Sequence, residues 1–178
     1  MKIGIFGGTF NPPHLGHLAA ARAAIDALEL DRLYLVPAAI PPHKELPEGT
    51  PAPEHRLAMT AKLADALLLP NVAEVSPMEL ERPGKSYTAD TLEQLHKQIP
   101  GAELWLLIGR DMFLTLDQWY HAADVMAQAG ICAFGRSVED SQEDFAPYLE
   151  FLEESFPDAQ VEIIDVPGLV DISSTRLR

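Results

Sequence analysis

His14 and His17 stand three residues apart, behind a Gly7-Gly8 pair and two prolines, Pro12 and Pro13. Side chains spaced i, i+3 on a helix share one face, so both imidazoles can reach a single chain of phosphates. Glycines lack a Cβ and let backbone amides come close to a ligand. A helix beginning at this point offers unpaired N–H groups and the positive end of its dipole to an anion. The prolines remove backbone donors from the loop and fix its path into the helix, which preorganises an anion site. Ordered as strand, glycines, prolines and paired histidines, the segment IGIFGGTFNPPHLGH at 3–17 reads as a site for a nucleotide triphosphate. Two plainer readings stay open: a tight strand–helix turn with no ligand, and a histidine pair that lies on the surface or binds a metal. The segment matches neither G-x-x-x-x-G-K-[ST] nor G-x-G-x-x-G, so neither of those phosphate loops is present here.

These residues need a strand before them and a helix behind them, and the pattern supplies both. Lys2–Phe6 reads as a strand and Leu15–Leu28 as an Ala-rich helix. Leu33–Pro37 is a second strand, followed by loop 38–53, whose length and five prolines suit a lid. A helix over Glu54–Leu69, with His55 and Arg56 near its start, leads to a short strand at Ala73–Ser76. Residues 77–86 form a polar connection, and Thr88 is placed to cap a helix over Ala89–Ile99. Glu103–Ile108 is a nearly continuous apolar run, the mark of a strand buried on both faces. Helical pieces over 111–128, a strand at Ile131–Phe134, an acidic amphipathic helix over 141–156 and a strand at Val161–Val166 complete the chain. The alternation predicts a single α/β domain of Rossmann-like, doubly wound type: a mostly parallel sheet with helices on both faces. Ligands of such sheets bind at the carboxyl ends of the strands, where strand order reverses.

Composition narrows the class. A chain of 178 residues with 47% hydrophobic content can build one real core. Asp and Glu outnumber Lys and Arg by 27 to 13, a net charge of −14, which argues against nucleic acid or anionic lipid as partner. Phosphate binding must then come from local cations and amides, which act within a Debye length of about 8 Å. The single Cys132, in an Ile-Cys-Ala-Phe run, excludes an internal disulfide and reads as an inert buried residue. No run approaches the ~18 apolar residues of a membrane span and no signal-peptide pattern precedes the first strand, so a cytoplasmic location is expected.

Several other residues carry a chemical and a plain reading side by side. Lys44 in the exposed loop is a solvated lysine or a phosphate ligand. Trp119 and Tyr120 anchor a helix to the core or offer a flat face to a ring. Thr88 and Asp111 are helix caps or ligand contacts. Ser173, Ser174 and Thr175 form an ordinary polar turn or another anion-binding helix start.

The segment GGTFNPPHLGH resembles the signature of the HxGH nucleotidyltransferases. PPHK at 41–44, SYTADTL at 86–92, IGRDMF at 108–113, QWY at 118–120 and ISSTRLR at 172–178 are similar, in order along nearly the whole chain, to the nicotinate-nucleotide adenylyltransferase family. That resemblance implies transfer of the adenylyl group of ATP to nicotinate mononucleotide, giving nicotinate adenine dinucleotide and pyrophosphate in NAD biosynthesis. ATP is then a co-substrate, with Mg²⁺ carried on its phosphates and no metal held by protein residues. By the same resemblance, His14 and His17 are catalytic and donate to the phosphates, while Gly7, Gly8, Thr9 and Phe10 belong to the nucleotide-binding turn. Gly109 offers backbone to adenine and Asp111 lies near the ribose. Ser173, Ser174, Thr175, Arg178 and Arg136 serve the phosphates. Lys44 meets the phosphate of the mononucleotide, Trp119 and Tyr120 its pyridine ring, and an N–H at Thr88 the nicotinate carboxylate. The family reading is compatible with a homo-oligomer.

The chain departs from the family pattern in three places. Asn11 stands where Asp is commoner, and Ser-Val follows Arg136 where Pro-Gly is frequent. Family members usually continue into a further helical segment after ISSTxxR, so the resemblance implies a site closed on that side with less protein, or a shortened chain. Adenylylation of nicotinamide mononucleotide or phosphopantetheine, and nucleotide binding without turnover, are the competing expectations.

Overall fold

The computed structural model describes residues 1–135, 138–166 and 174–178, with the backbone alone for 138–144. Six strands form one sheet: β1 (Lys2–Gly8), β2 (Arg32–Pro37), β3 (Ala73–Val75), β4 (Glu103–Gly109), β5 (Gly130–Gly135) and β6 (Val161–Asp165). All pairings are parallel and the order is β3-β2-β1-β4-β5-β6, so the expected doubly wound fold is what forms. The order reverses between β1 and β4. Their register pairs Lys2 with Glu103 and Phe6 with Leu107, which brings the ends of both strands, Gly8 and Gly109, to one rim.

Alternation along the strands builds two cores, one on each face. Ile3, Ile5, Leu104, Leu106, Ile108 and Ile131 meet Leu92 and Leu95 of α3 (Thr88–Gln98), Val125 and Met126 of α5 (Ala122–Gln128), and Phe145 and Leu152 of α6 (Val138–Ser155). Phe6, Leu35, Trp105, Leu107 and Phe134 face the other way. They pack on Ala20, Ala21 and Ala24 of α1 (Leu15–Leu28) and on Leu63 and Ala64 of α2 (Pro53–Ala66). Short alanine side chains let α1 lie close to the sheet. Strands buried on both faces need unbroken apolar runs, and LWLLI in β4 and GICAFG in β5 supply them. Cys132 is fully buried, and burial pushes its thiol up to about 12, so it stays protonated as expected of an inert residue.

Boundaries differ from expectation where local chemistry decides. Strand β1 runs through both glycines, because Gly7 and Gly8 still pair with Val36 and Pro37 of β2. Helix α2 stops at Ala66, ahead of Leu68, which has φ 56° and is exposed. Helix α6 starts at Val138, three residues before the expected 141. Thr88 is not a cap: it is the first residue of α3, the cap position falls to Tyr87, and no side chain closes that end. Asp111 does not cap either. It is the second residue of α4 (Arg110–Phe113), behind Gly109, with a 96% exposed side chain that faces Arg110 at 3.5 Å.

Candidate active site

At the β1–β4 rim the chain leaves open backbone. A Cβ added at Gly109 would meet nothing within 4 Å, and one at Gly7 only the Val36 carbonyl at 4.0 Å. The space above them is therefore ligand space and not packed protein. A cleft opens there, floored by Gly7, Gly8, Thr9 and Gly109. Its walls are Pro41, Pro42, His43 and Lys44 from the loop after β2, Thr88 at the start of α3, and Met112 and Trp119.

Next to this cleft, α1 begins in an unusual way. His14 is its N-cap: Nδ1 of His14 accepts from the Gly16 N–H at 3.1 Å, while Nδ1 of His17 accepts from the His14 N–H at 3.1 Å. Each ring thus satisfies one of the orphan donors of a helix start, as Ser and Glu do in a capping box. The two bonds also fix the tautomers. A neutral imidazole with Nδ1 accepting carries its proton on Nε2, so both rings are donors at Nε2. The rings lie close and tilted, centroids 3.8 Å apart at 32°. The first turn of α1 holds no acidic residue, so nothing offsets the positive end of its dipole.

Burial holds both imidazoles neutral. It is the largest cause in each case, and for His17, with His14 and Lys44 nearby, the pKa falls from 6.5 to about 3. The unfolded chain therefore binds more protons than the folded one between those values. Stability from this site is complete above about pH 6.5 and is lost as pH falls toward 3. We expect the ring resonances of His17 in the free protein to stay fixed in an NMR titration between about pH 5 and pH 8. Movement with a midpoint near 6.5 would contradict the buried, Nδ1-accepting arrangement.

The carboxy-terminal turn closes the same region from the other side. Ser174 Oγ donates to the Pro12 carbonyl at 2.7 Å, and Arg178 Nη1 donates to the Asn11 carbonyl. Arg178 also lies near enough to Lys44 to add to the burial that lowers the lysine pKa. Lys44 thus acts electrostatically on His17 and is acted on by Arg178, and it also lines the aromatic-walled cleft.

Sequence-expected residues therefore fall into groups. Gly7, Gly8, Thr9, Lys44, Thr88, Gly109 and Trp119 line the cleft. His14, His17, Ser174 and Arg178 belong to the adjoining corner of imidazole, hydroxyl and guanidinium groups, and Thr175 Oγ1 accepts from Arg178 Nη2 at 3.3 Å. Phe10 is only 2% exposed; its ring packs between Phe6 and His17, so the side chain supports the turn from beneath. Tyr120 is 48% exposed and stacks on Tyr87 at 4.2 Å, outside the cleft lining. Trp119 belongs to the core, as its plain reading has it, and also forms part of the cleft wall; among the described residues its buried Nε1 has no hydrogen-bond partner. Arg136 and Ser173 lie outside the described residues.

Three residues of the site were not singled out from sequence. His43 lies against Trp119, rings 5.0 Å apart. Glu79 is buried in the cleft wall. Arg56, fully buried, donates from Nη1 to the carbonyls of Thr9 and Ala38, both at 2.8 Å. It ties the turn after β1 to the loop after β2. A signal for Arg56 existed, since it falls on the buried stripe with Thr60, Leu63 and Ala64. Glu79 sits in an aperiodic connection that offers no such signal.

A parallel sheet in this order, with an anion-suited helix start and an open cleft at its reversal point, defines a protein of the cytidylyltransferase-like class. The model of that family matches residues 5–178. A "probable nicotinate-nucleotide adenylyltransferase" of Carboxydothermus hydrogenoformans is 38% identical over 177 residues, covering 99% of this chain and 84% of that protein. One of the same name from Dictyoglomus thermophilum is 37% identical over 153 residues, 86% and 76% of the two chains. The Plasmodium falciparum nicotinic acid mononucleotide adenylyltransferase, solved in complex with NaAD, superposes with a TM-score of 0.75 at 18% identity over 98% of this chain and 81% of that one. The chain belongs to the nicotinate-nucleotide adenylyltransferase family, a family of nucleotidyltransferases.

Proposed function

We propose that this protein transfers the adenylyl group of ATP to nicotinate mononucleotide, forming nicotinate adenine dinucleotide and releasing pyrophosphate. The observation that carries this reading is the junction at Lys44: a corner of imidazole and cationic donors on one side, an aromatic-walled cleft on the other. Such a site suits a polyphosphate next to a phosphorylated ring compound.

The chemistry needs no covalent enzyme intermediate. An oxygen of the mononucleotide 5′-phosphate attacks the α-phosphorus in line, and the bond from that phosphorus to the bridging oxygen of pyrophosphate breaks. Catalysis then consists of alignment and charge stabilisation. His14 and His17 donate from Nε2 to the phosphates as charge moves onto pyrophosphate. The attacking phosphate is already ionised, so neither ring has to act as a base. Lys44 holds the acceptor phosphate, and Trp119, with Tyr120 at its edge, holds the pyridine ring. The amides opening α3 at Thr88 have no capping side chain and suit the nicotinate carboxylate. Gly109 backbone meets adenine, Asp111 the ribose, and Gly7, Gly8, Thr9, the backbone of Phe10, Ser173, Ser174, Thr175, Arg178 and Arg136 complete the nucleotide contacts. Among the described residues no group of three or more His, Cys, Asp or Glu could hold a metal ion. The donor set present is cationic, and Mg²⁺ fits it only on the ATP oxygens, where it neutralises phosphate charge. The reading treats residues 1–178 as one nucleotidyltransferase domain. Among the described residues no helix is long and apolar enough to cross a membrane.

The test is direct. Purified protein with ATP, Mg²⁺ and nicotinate mononucleotide gives the dinucleotide and pyrophosphate, faster than with nicotinamide mononucleotide or phosphopantetheine. A preference for either of those acceptors defeats the assignment. ATP binding with no product from any of them identifies a nucleotide-binding regulator instead.

A further inference from the structure

Glu79 accepts a hydrogen bond from Thr91 Oγ1 at 2.7 Å, and the Ser86 hydroxyl lies close enough to act on the same carboxyl group. Each hydroxyl is itself an acceptor. Ser86 Oγ receives the N–H groups of Ala39 at 3.0 Å and Ile40 at 3.4 Å, and Thr91 Oγ1 receives Arg82 Nη2 at 2.9 Å. Ser86 N–H also donates to the Ile40 carbonyl at 2.9 Å. A single carboxyl group thus joins the loop that carries His43 and Lys44 to the first turn of α3, the two walls of the cleft. Glu79 is 6% exposed, and the little surface it keeps is part of the cleft lining.

We propose that Glu79 is a positioning residue that fixes these two walls, and that its charge state sets the affinity for an acidic mononucleotide. This rests on the acceptor assigned under Proposed function. A neutral carboxyl group leaves the cleft open to a carboxylate ligand. An ionised one opposes that ligand across a poorly hydrated space.

The surroundings let Glu79 be the group that changes near neutrality. Burial raises it from 4.5 to about 7, against the smaller opposing effects of Thr91, Arg82 and Ser86. Its own segment also carries Glu81, Arg82 and Lys85, of which Arg82 reaches it through Thr91. The facing loop brings His43 and Lys44, with Lys85 beside His43. Burial and Lys85 hold His43 below the ordinary imidazole range, so it is already neutral where Glu79 titrates. Helix α3 contributes the Thr91 hydroxyl, and Met112 and Trp119 on the far wall carry no titratable group. Protonation has somewhere to go: a neutral Glu79 can donate to Thr91, whose own proton then turns to the Tyr87 carbonyl at 3.3 Å.

The experiment compares wild type, Glu79→Gln and Glu79→Ala across about pH 6 to 9. KM for nicotinate mononucleotide and for ATP, kcat, and the melting temperature are measured at each pH. Wild type should show a rise of about tenfold in KM for the mononucleotide as pH passes through 7, without a matching change in KM for ATP. Glu79→Gln, which keeps an acceptor for both hydroxyls but cannot ionise, should flatten that rise. Glu79→Ala, which releases the loop, should raise this KM at every pH. The substrate phosphate titrates identically in all three enzymes and drops out of the comparison. A KM profile for Glu79→Gln parallel to wild type overturns the proposal, as does an unchanged KM in a folded Glu79→Ala. Wild type that makes no product from nicotinate mononucleotide overturns the functional reading itself, and this inference with it.

Discussion

Replacing His17 by Ala is expected to lower turnover by about 10²–10³-fold while ATP affinity stays within about tenfold. The argument is geometric. Nδ1 of His17 is committed to the His14 amide, so Nε2 is the free donor, and its proton is held there without a positive charge. A donor already aimed where negative charge develops needs no reorganisation during the reaction, which is why its loss falls on kcat. On the proposed reading, Lys44, Arg178 and the backbone amides still face the phosphates in this variant, so binding should suffer less. Removing the ring also removes a cap, at a cost of about 0.5–2 kcal/mol, so the melting temperature should be recorded with the kinetics. Turnover equal to wild type in a folded variant would take His17 out of the mechanism.

The second large effect is expected at Arg56. Substitution by Ala leaves the Thr9 and Ala38 carbonyls without their buried donor and opens a cavity under both loops. Each unsatisfied carbonyl costs about 1–3 kcal/mol. Against this, the wild-type side chain already buries Nε and Nη2 without partners, and removing them recovers part of that cost. A net loss of about 2–4 kcal/mol corresponds to a fall of roughly 5–15 °C in melting temperature for a chain of this size. Arg56→Met, which refills the volume but bridges nothing, should recover part of the stability, while KM for ATP is expected to be raised in both variants. If Arg56→Ala melts with wild type, the guanidinium does not clamp the two turns.

How much of this could be read from sequence depended on how local the cause was. Strand β4 and helix α1 followed from runs of residues whose burial is decided by their neighbours in the chain, and Leu15–Leu28 agrees at both ends. The closeness of His14 and His17 was equally local, given their spacing. What the spacing did not show is that the pair caps its own helix and so sets its own tautomers, because histidine is not a residue expected at N-cap. The Glu79 network joins four segments spread over residues 39 to 91, and the Arg56 bridge joins Thr9 to Ala38 through α2. Such bonds themselves leave no periodic trace: the stripe of α2 marks Arg56 as buried, but not the loop carbonyls of Thr9 and Ala38 that it meets. Thr88 shows the opposite error. A threonine before an apolar-periodic run is a strong capping signal, yet here the backbone of Tyr87 takes that position and leaves the first amides of α3 beside the cleft.

The bonds from Ser174 to Pro12 and from Arg178 to Asn11 span 162 and 167 residues of sequence. At a synthesis rate of about 5–20 residues per second, the amino-terminal loop leaves the ribosome roughly 8–30 s before the groups that brace it. Nascent protein therefore passes through a stage in which the central strands can pair but the corner at His14 and His17 is unbraced until residues 174–178 have emerged.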